Sequence, residues 1–148
     1  MEEYIIRKMR ISDIMDVQEL ESSVFNDPWT VEQFKYEFEE NPISTQYVLE
    51  INGVIYGFIV FWVTFNSSTI CKIAVVEEAR NNGVGSILFE TMLDDLTEME
   101  VETITLEVRT DNESAIEFYE NRGFSKVTTK PQYYADGTDA YYMVKVLI

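Results

Sequence analysis

Glu107 and Tyr119, a carboxylate and a phenol in one motif-bearing stretch, are of the types left for acid–base chemistry in a chain without histidine. Its 148 residues include no histidine, and Cys71 is the only cysteine. The commonest general base and commonest metal ligand are therefore missing. Neither an internal disulfide nor a cysteine-based metal cluster can form. Acid–base chemistry falls to carboxylate, tyrosine, lysine or the single thiol. Cys71 lies in an apolar strand segment, where burial raises a thiol's pKa and leaves it inert, so it reads as core packing. Glu107 sits in Leu106-Glu107-Val108-Arg109, followed by Asn112, Ala115 and Tyr119. Each has a plainer reading as well. Glu107 serves as a solvated strand carboxylate, Tyr119 as a core residue with its hydroxyl at the rim, and Asn112 as a helix N-cap.

A second constellation is Arg80-Asn81-Asn82-Gly83-Val84-Gly85-Ser86, placed after a strand and opening a helix. Glycines let a backbone approach a phosphate, and the free N–H groups and dipole of a helix start hold its charge. Arg80 adds a cation. The same glycines also suit a tight turn, and spacing alone does not choose between the two.

These residues need a scaffold, and hydrophobic patterning supplies one. A short strand at Tyr4 to Arg7 precedes Ser12, read as the N-cap of a helix carrying Ile14, Val17 and Leu20. Asn26-Asp27-Pro28 interrupts it, and Thr30 with Gln33 forms a capping-box pattern ahead of Phe34 and Phe38. Thr45 to Ile51 and Val54 to Thr64 flank Asn52-Gly53, a hairpin signature. Thr69 to Val76 is a further strand, and Gly83 to Leu96 has a helical period with Val84, Ile87, Leu88, Met92 and Leu96 inward. Thr103 to Val108 alternates, which puts Ile104, Leu106 and Val108 on one face and Glu107 on the other. A helix over Glu113 to Asn121 ends at Gly123, and strands at Ser125 to Thr129 and Ala140 to Leu147 close the chain. The order β-α-α-β-β-β-α-β-α-β-β predicts an α/β (α+β) fold with a mixed sheet, in one domain spanning residues 1–148.

Eleven basic and 27 acidic side chains give a formal charge of −16. Such a field repels nucleic acid and favours cationic partners, though acidity also serves solubility alone. The start Met1-Glu2-Glu3-Tyr4 lacks the pattern of a leader, and Val54 to Phe65 is too short to span a membrane. The expected setting is the cytoplasm, without membrane partners.

Taken together, the ordered motifs resemble the GNAT acetyltransferase superfamily, specifically its RimI-type ribosomal-protein-alanine and Ard1-like amino-terminal acetyltransferases. The resemblance rests on Phe25-Asn26-Asp27-Pro28-Trp29, Ile73-Ala74-Val75, the Arg80 to Ser86 loop, Leu106-Glu107-Val108-Arg109, Asn112, Ala115, Phe118-Tyr119-Glu120, Gly123-Phe124, Tyr133-Tyr134 and Asp139-Ala140. It implies a GNAT fold, acetyl-coenzyme A as co-substrate, no metal, and a basic protein or peptide amino terminus as acceptor, such as that of a small-subunit ribosomal protein. Other amino termini, a small amine, or a non-catalytic acetyl-coenzyme A sensor are the alternatives. By the same resemblance Glu107 is the general base and Tyr119 the general acid. Ile73, Ala74 and Val75 face the pantetheine arm; Arg80, Asn81, Asn82, Gly83, Val84, Gly85 and Ser86 hold the pyrophosphate; Asn112 and Ala115 add cofactor contacts. Phe25, Trp29, Tyr133 and Tyr134 wall the acceptor groove, and each reads equally as aromatic packing. Glu77 stands where relatives have proline, and Asn81 and Asn82 where many have basic or glutamine residues, which leaves Arg80 as the loop's only cation.

Overall fold

The computed structural model describes residues 3–148; Met1 and Glu2, part of the start read above for a leader, lie outside them. Strand β1 (Ile5–Lys8) leads to helices α1 (Ile14–Val24) and α2 (Val31–Glu39). Then come β2 (Ser44–Ile51), β3 (Val54–Thr64), β4 (Ser67–Val75), α3 (Val84–Glu98), β5 (Thr103–Arg109), α4 (Glu113–Glu120), β6 (Ser125–Lys130) and β7 (Ala140–Val146). This is the order that the patterning predicts.

Most boundaries follow from local chemistry. Thr30 accepts the Gln33 N–H at 3.1 Å while the Gln33 side chain accepts the Thr30 N–H at 2.8 Å, so the capping box forms. Asn52 and Gly53 both take positive φ, 51° and 80°, as a tight turn between β2 and β3 requires. The start of α1 differs from expectation. A short 3₁₀ turn, Ile11–Asp13, precedes it, and Asp13, not Ser12, organises the entry by accepting the Arg10 N–H at 2.7 Å. Arg7 fixes that carboxylate with two hydrogen bonds, 2.7 and 3.0 Å. A charged pair thus replaces the hydroxyl cap.

The strands form one sheet in the order β1-β2-β3-β4-β5-β7-β6. Its single parallel neighbour pair, β4 with β5, is short: Ser67↔Thr103, Ser68↔Ile104 and Thr69↔Thr105 are paired. Both strands continue past that point without pairing to each other. The cause lies on the other side of β4, where Val60 pairs with Lys72 but Phe61 pairs with Ile70. Cys71 is the extra residue of a bulge, and a bulge bends its strand. The bend turns β4 away from β5 and opens the sheet between Cys71–Val75 and Leu106–Arg109.

Two apolar clusters sandwich the sheet. Leu49, Ile59, Phe61, Ile104, Leu106 and Met143 meet Leu88, Met92 and Leu96 of α3 and Ile116 and Tyr119 of α4. On the opposite face, Val48, Phe58, Val60 and Ala74 meet Ile14, Val17 and Leu20 of α1 and Phe34 of α2. Helix α3 approaches β3 closely at Gly57, where a Cβ would come 2.9 Å from Val84 Cγ1. Among the described residues no helix is long and apolar enough to cross a membrane.

Candidate active site

The opening in the sheet is where the two constellations meet. After β4 a short 3₁₀ turn, Glu77–Ala79, leads into loop 80–83, which enters α3 with Asn81 (φ 66°) and Gly83 (φ 84°) both left-handed. Asparagine tolerates that conformation better than most residues, which explains its presence at position 81. The first intrahelical bond runs from the Ile87 N–H to the Gly83 carbonyl at 3.0 Å, so the N–H groups of Val84, Gly85 and Ser86 precede it. No side chain caps them. Three donors and a helix dipole therefore face outward at one point, an arrangement that favours an anion.

Arg80 is exposed and its Nε lies 3.4 Å from the Val75 carbonyl. It is the only cation within the loop, but a second cation packs against the loop from elsewhere in the chain. Arg122, just past the end of α4, donates to Ser86 Oγ in the first turn of α3 and to the Phe118 carbonyl at 3.1 Å. Its guanidinium lies 3.6 Å from the centre of the Phe118 ring. Gly85 makes this possible: a Cβ there would come 3.2 Å from Phe118 Cε1. The glycine is explained by helix packing as well as by the phosphate reading. Sequence spacing gave no hint of Arg122, because it lies far along the chain from the loop that it joins.

Glu107 is on the face of β5 opposite Leu106 and Val108, half-buried. Its Oε1 accepts from Lys130 Nζ at 2.7 Å, and that ammonium also lies 4.9 Å from the Tyr142 ring centre and 5.6 Å from that of Tyr133. The pair holds the lysine more firmly protonated than usual, chiefly through this hydrogen bond. Lys130 was also missed in the sequence, since its side chain reaches across β7 from the edge strand β6.

Tyr119 comes from the helical side, packed edge-on against Phe118 and Phe124 at 5.4 and 5.5 Å. Burial pushes its phenol well above the ordinary range, and nearby Tyr134 adds to the effect. Burial also pushes Tyr134 up, to about 12, with Tyr133 and Glu107 contributing. Tyr134 is thus the group that lies near both Tyr119 and Glu107. Both phenols stay protonated at neutral pH and can donate.

The Tyr133-Tyr134 loop is tied down by Arg109, two residues after Glu107 in β5. Its guanidinium donates to Asp136 at 2.6 Å and Thr138 at 2.8 Å and lies 5.0 Å from the Tyr134 ring centre. On the other side of the opening, Phe25 and Trp29 flank Lys72 Nζ at 4.6 and 5.4 Å from their ring centres. Cys71 is half-buried at the bulge, not in the deep core. Its thiol is pushed well up by burial, with Glu37 and Glu107 adding and Lys72 opposing. It is a poor nucleophile there.

Ile73, Ala74 and Val75 form the free stretch of β4, with Ala74 buried beneath α1 and α2. Asn112 and Ala115 fall at the start of α4, where the Asn112 carboxamide oxygen accepts the Ala115 N–H at 3.2 Å. That oxygen is spent on capping, which leaves its amide nitrogen for any other contact.

Similarity to known proteins agrees with this arrangement. The model of the Acetyltransferase (GNAT) family matches residues 14–124. A Bacillus subtilis (strain 168) protein, provisionally named a ribosomal protein bS18-alanine N-acetyltransferase, is 34% identical over 139 residues, covering 93% of this chain and 92% of that one. The Escherichia coli (strain K12) ribosomal protein bS18-alanine N-acetyltransferase is 30% identical over 129 residues, covering 87% and 86%. Among solved structures, Ard1 from Thermoplasma volcanium superposes with a TM-score of 0.92 at 32% identity, over 98% of both chains. An opening between two parallel strands and a free helix start beside it accompany this breadth of likeness: the chain belongs to the GNAT acetyltransferase family and is an N-acetyltransferase.

Proposed function

We propose that the chain is one domain that acetylates the α-amine of a protein amino terminus, with acetyl-coenzyme A as co-substrate and an alanine-starting ribosomal protein as the first-choice acceptor. The observation that carries the reading is the opening between β4 and β5, flanked by Glu107, Tyr119 and the free start of α3. The names of the Bacillus and Escherichia relatives support the acceptor, and the charge of −16 suits a basic ribosomal partner.

The residues present fit acetyl-coenzyme A. The N–H groups of Val84, Gly85 and Ser86, with Arg80 and Arg122 beside them, would hold the pyrophosphate. The unpaired edge of β4 at Ile73–Val75 would take the pantetheine amides. When bound, the co-substrate supplies the thioester that gives up its acetyl group. A peptide α-ammonium has a pKa of about 8, so most of it must lose a proton before it can attack. Glu107 accepts that proton, directly or through a water, a step worth about 10² to 10⁴ in rate. An N–H of the β4 edge stabilises the carbonyl oxygen during direct attack by the amine. Tyr119, protonated because it is buried, gives its proton to the departing sulfur. Phe25, Trp29, Tyr133 and Tyr134 wall the acceptor side.

The test is mass spectrometry of the purified protein with acetyl-coenzyme A and a panel of peptides and small amines. Acetylation of a basic alanine-starting peptide, but not of its amino-blocked form, is the expected result. Exclusive labelling of polyamines would sink the reading.

A further inference from the structure

Glu21 is fully buried, with 0% of its surface exposed, in the last turns of α1. One carboxylate oxygen accepts the Trp29 N–H; the other, Oε1, has no hydrogen-bond partner. The nearest cation is Lys72 Nζ, 3.8 Å from Oε1, at the limit of an ion pair. Burial pushes the Glu21 carboxyl up, and Lys72 only partly opposes this. Lys72 follows the bulged Cys71 on β4, and its ammonium lies against Phe25 and Trp29. One loose, half-satisfied pair therefore links the strand that opens the sheet to loop 25–30.

A pair of this kind is poor economy for stability. Withdrawing two charges from water is costly, and replacement of such a pair by apolar groups of similar volume is often neutral or stabilising. An orphaned buried acceptor adds a further cost. Loop 25–30 has cheaper anchors at hand: Trp29 already packs edge-on against Phe34 at 5.3 Å. What apolar packing would not supply is a fixed distance between the loop and the bulge. The carboxylate holds the loop's backbone at Trp29, and the ammonium, fixed to β4, meets the faces of both aromatic rings.

We propose that Glu21 and Lys72 are positioning residues for the acceptor: a buried ionic link that sets the Phe25 and Trp29 rings at a fixed distance from the acetyl-transfer opening and so determines how the acceptor's amino-terminal residues are gripped. This rests on the reading of Phe25 and Trp29 as walls of the acceptor groove. Neither residue touches the reacting atoms. Their removal acts on acceptor binding, while co-substrate binding and the chemical step proceed from groups elsewhere.

The test is the double variant Glu21→Gln/Lys72→Met, which removes both charges and retains an acceptor for the Trp29 N–H. The parent and variant are labelled with fluorotryptophan, whose two resonances, from Trp29 and Trp62, are assigned with Trp62→Phe. In the variant the peptide KM rises about tenfold, while kcat and the acetyl-coenzyme A KM stay within about twofold and the melting temperature holds or rises. The Trp29 resonance shifts or broadens while that of Trp62 stays. Lys72→Arg, which preserves the charge, retains most of the parent's peptide KM. An unchanged peptide KM and Trp29 resonance in a folded double variant would overturn the proposal, as would a Lys72→Arg variant as impaired as Lys72→Met. Phe25→Ala and Trp29→Ala locate a failure: if these also leave the peptide KM unchanged, the groove assignment itself is wrong, and the link falls with it.

Discussion

Lys130 places its ammonium 2.7 Å from the Glu107 carboxylate, the group to which the proposed mechanism would bring an acceptor's ammonium. The lysine is 41% exposed, so the pair contributes at most about 1 kcal/mol to stability. Its effect is on access to Glu107. In Lys130→Met the peptide KM falls severalfold, by about the same factor as the lost pair energy, with the melting temperature nearly unchanged. Steady-state kinetics with an alanine-starting peptide reads this directly. A raised KM would show that the ammonium assists acceptor binding.

Glu107→Gln lowers kcat by about 10² to 10⁴ and leaves the acetyl-coenzyme A KM near the parent's value. Tyr119→Phe lowers kcat through loss of the proton for sulfur. Tyr119 is 7% exposed and its hydroxyl is not among the fully buried polar atoms that lack a partner, so its removal leaves the melting temperature nearly unchanged. Loss of activity together with loss of stability would assign Tyr119 to packing instead.

Arg122→Met raises the acetyl-coenzyme A KM and spares the peptide KM, because Arg122 stands at the start of α3, away from the acceptor loops. Gly85→Ala does the same more weakly by displacing the Phe118 ring on which the guanidinium rests. Isothermal titration with coenzyme A measures both. Equal affinity in Arg122→Met would remove this residue from the co-substrate site.

Two carboxylates give opposite signs to the pH dependence of stability. The Arg7 guanidinium holds Asp13 below its usual range. The stability from Asp13 is therefore full above the unfolded value of about 3.9 and is lost as pH falls further. Burial raises Glu21, so its charged form opposes folding: that cost is absent below about pH 4.3 and grows as pH rises through the folded value. Urea denaturation across about pH 3 to pH 8 separates them. Asp13→Asn flattens the acid loss and costs about 3 kcal/mol at neutral pH, since it leaves a mostly buried Arg7 short of a partner. Glu21→Gln/Lys72→Met removes the opposing slope.

The element order was legible because each element carries a local cause: the Asn52-Gly53 turn, the Thr30–Gln33 box, the alternation around Glu107. Of the candidate site, the free helix start at loop 80–86 was legible because its residues belong to one motif. What escaped were partners that side-chain reach brings in from afar. Lys130 arrives across a neighbouring strand, Arg122 from beyond α4, and Lys72 from beside a bulge that periodicity does not mark. Ser12 reads as a cap because its type is right; the Arg7–Asp13 pair outcompetes it through a contact that local sequence does not record.

The bulge at Cys71 has a further meaning in terms of counting. Val60 and Phe61 are adjacent on β3, yet their partners on β4 are two apart. That single surplus residue separates a sheet that would zip shut beside β5 from one that stays ajar. Cys71 packs with Val60 and Ala74 while Ile70 and Ile73 face the other cluster, so deletion of Cys71 would restore an unbroken ladder and leave the flanking side chains facing as they do. The opening beside β5 is thus written as an error of register, held in place by one half-buried residue.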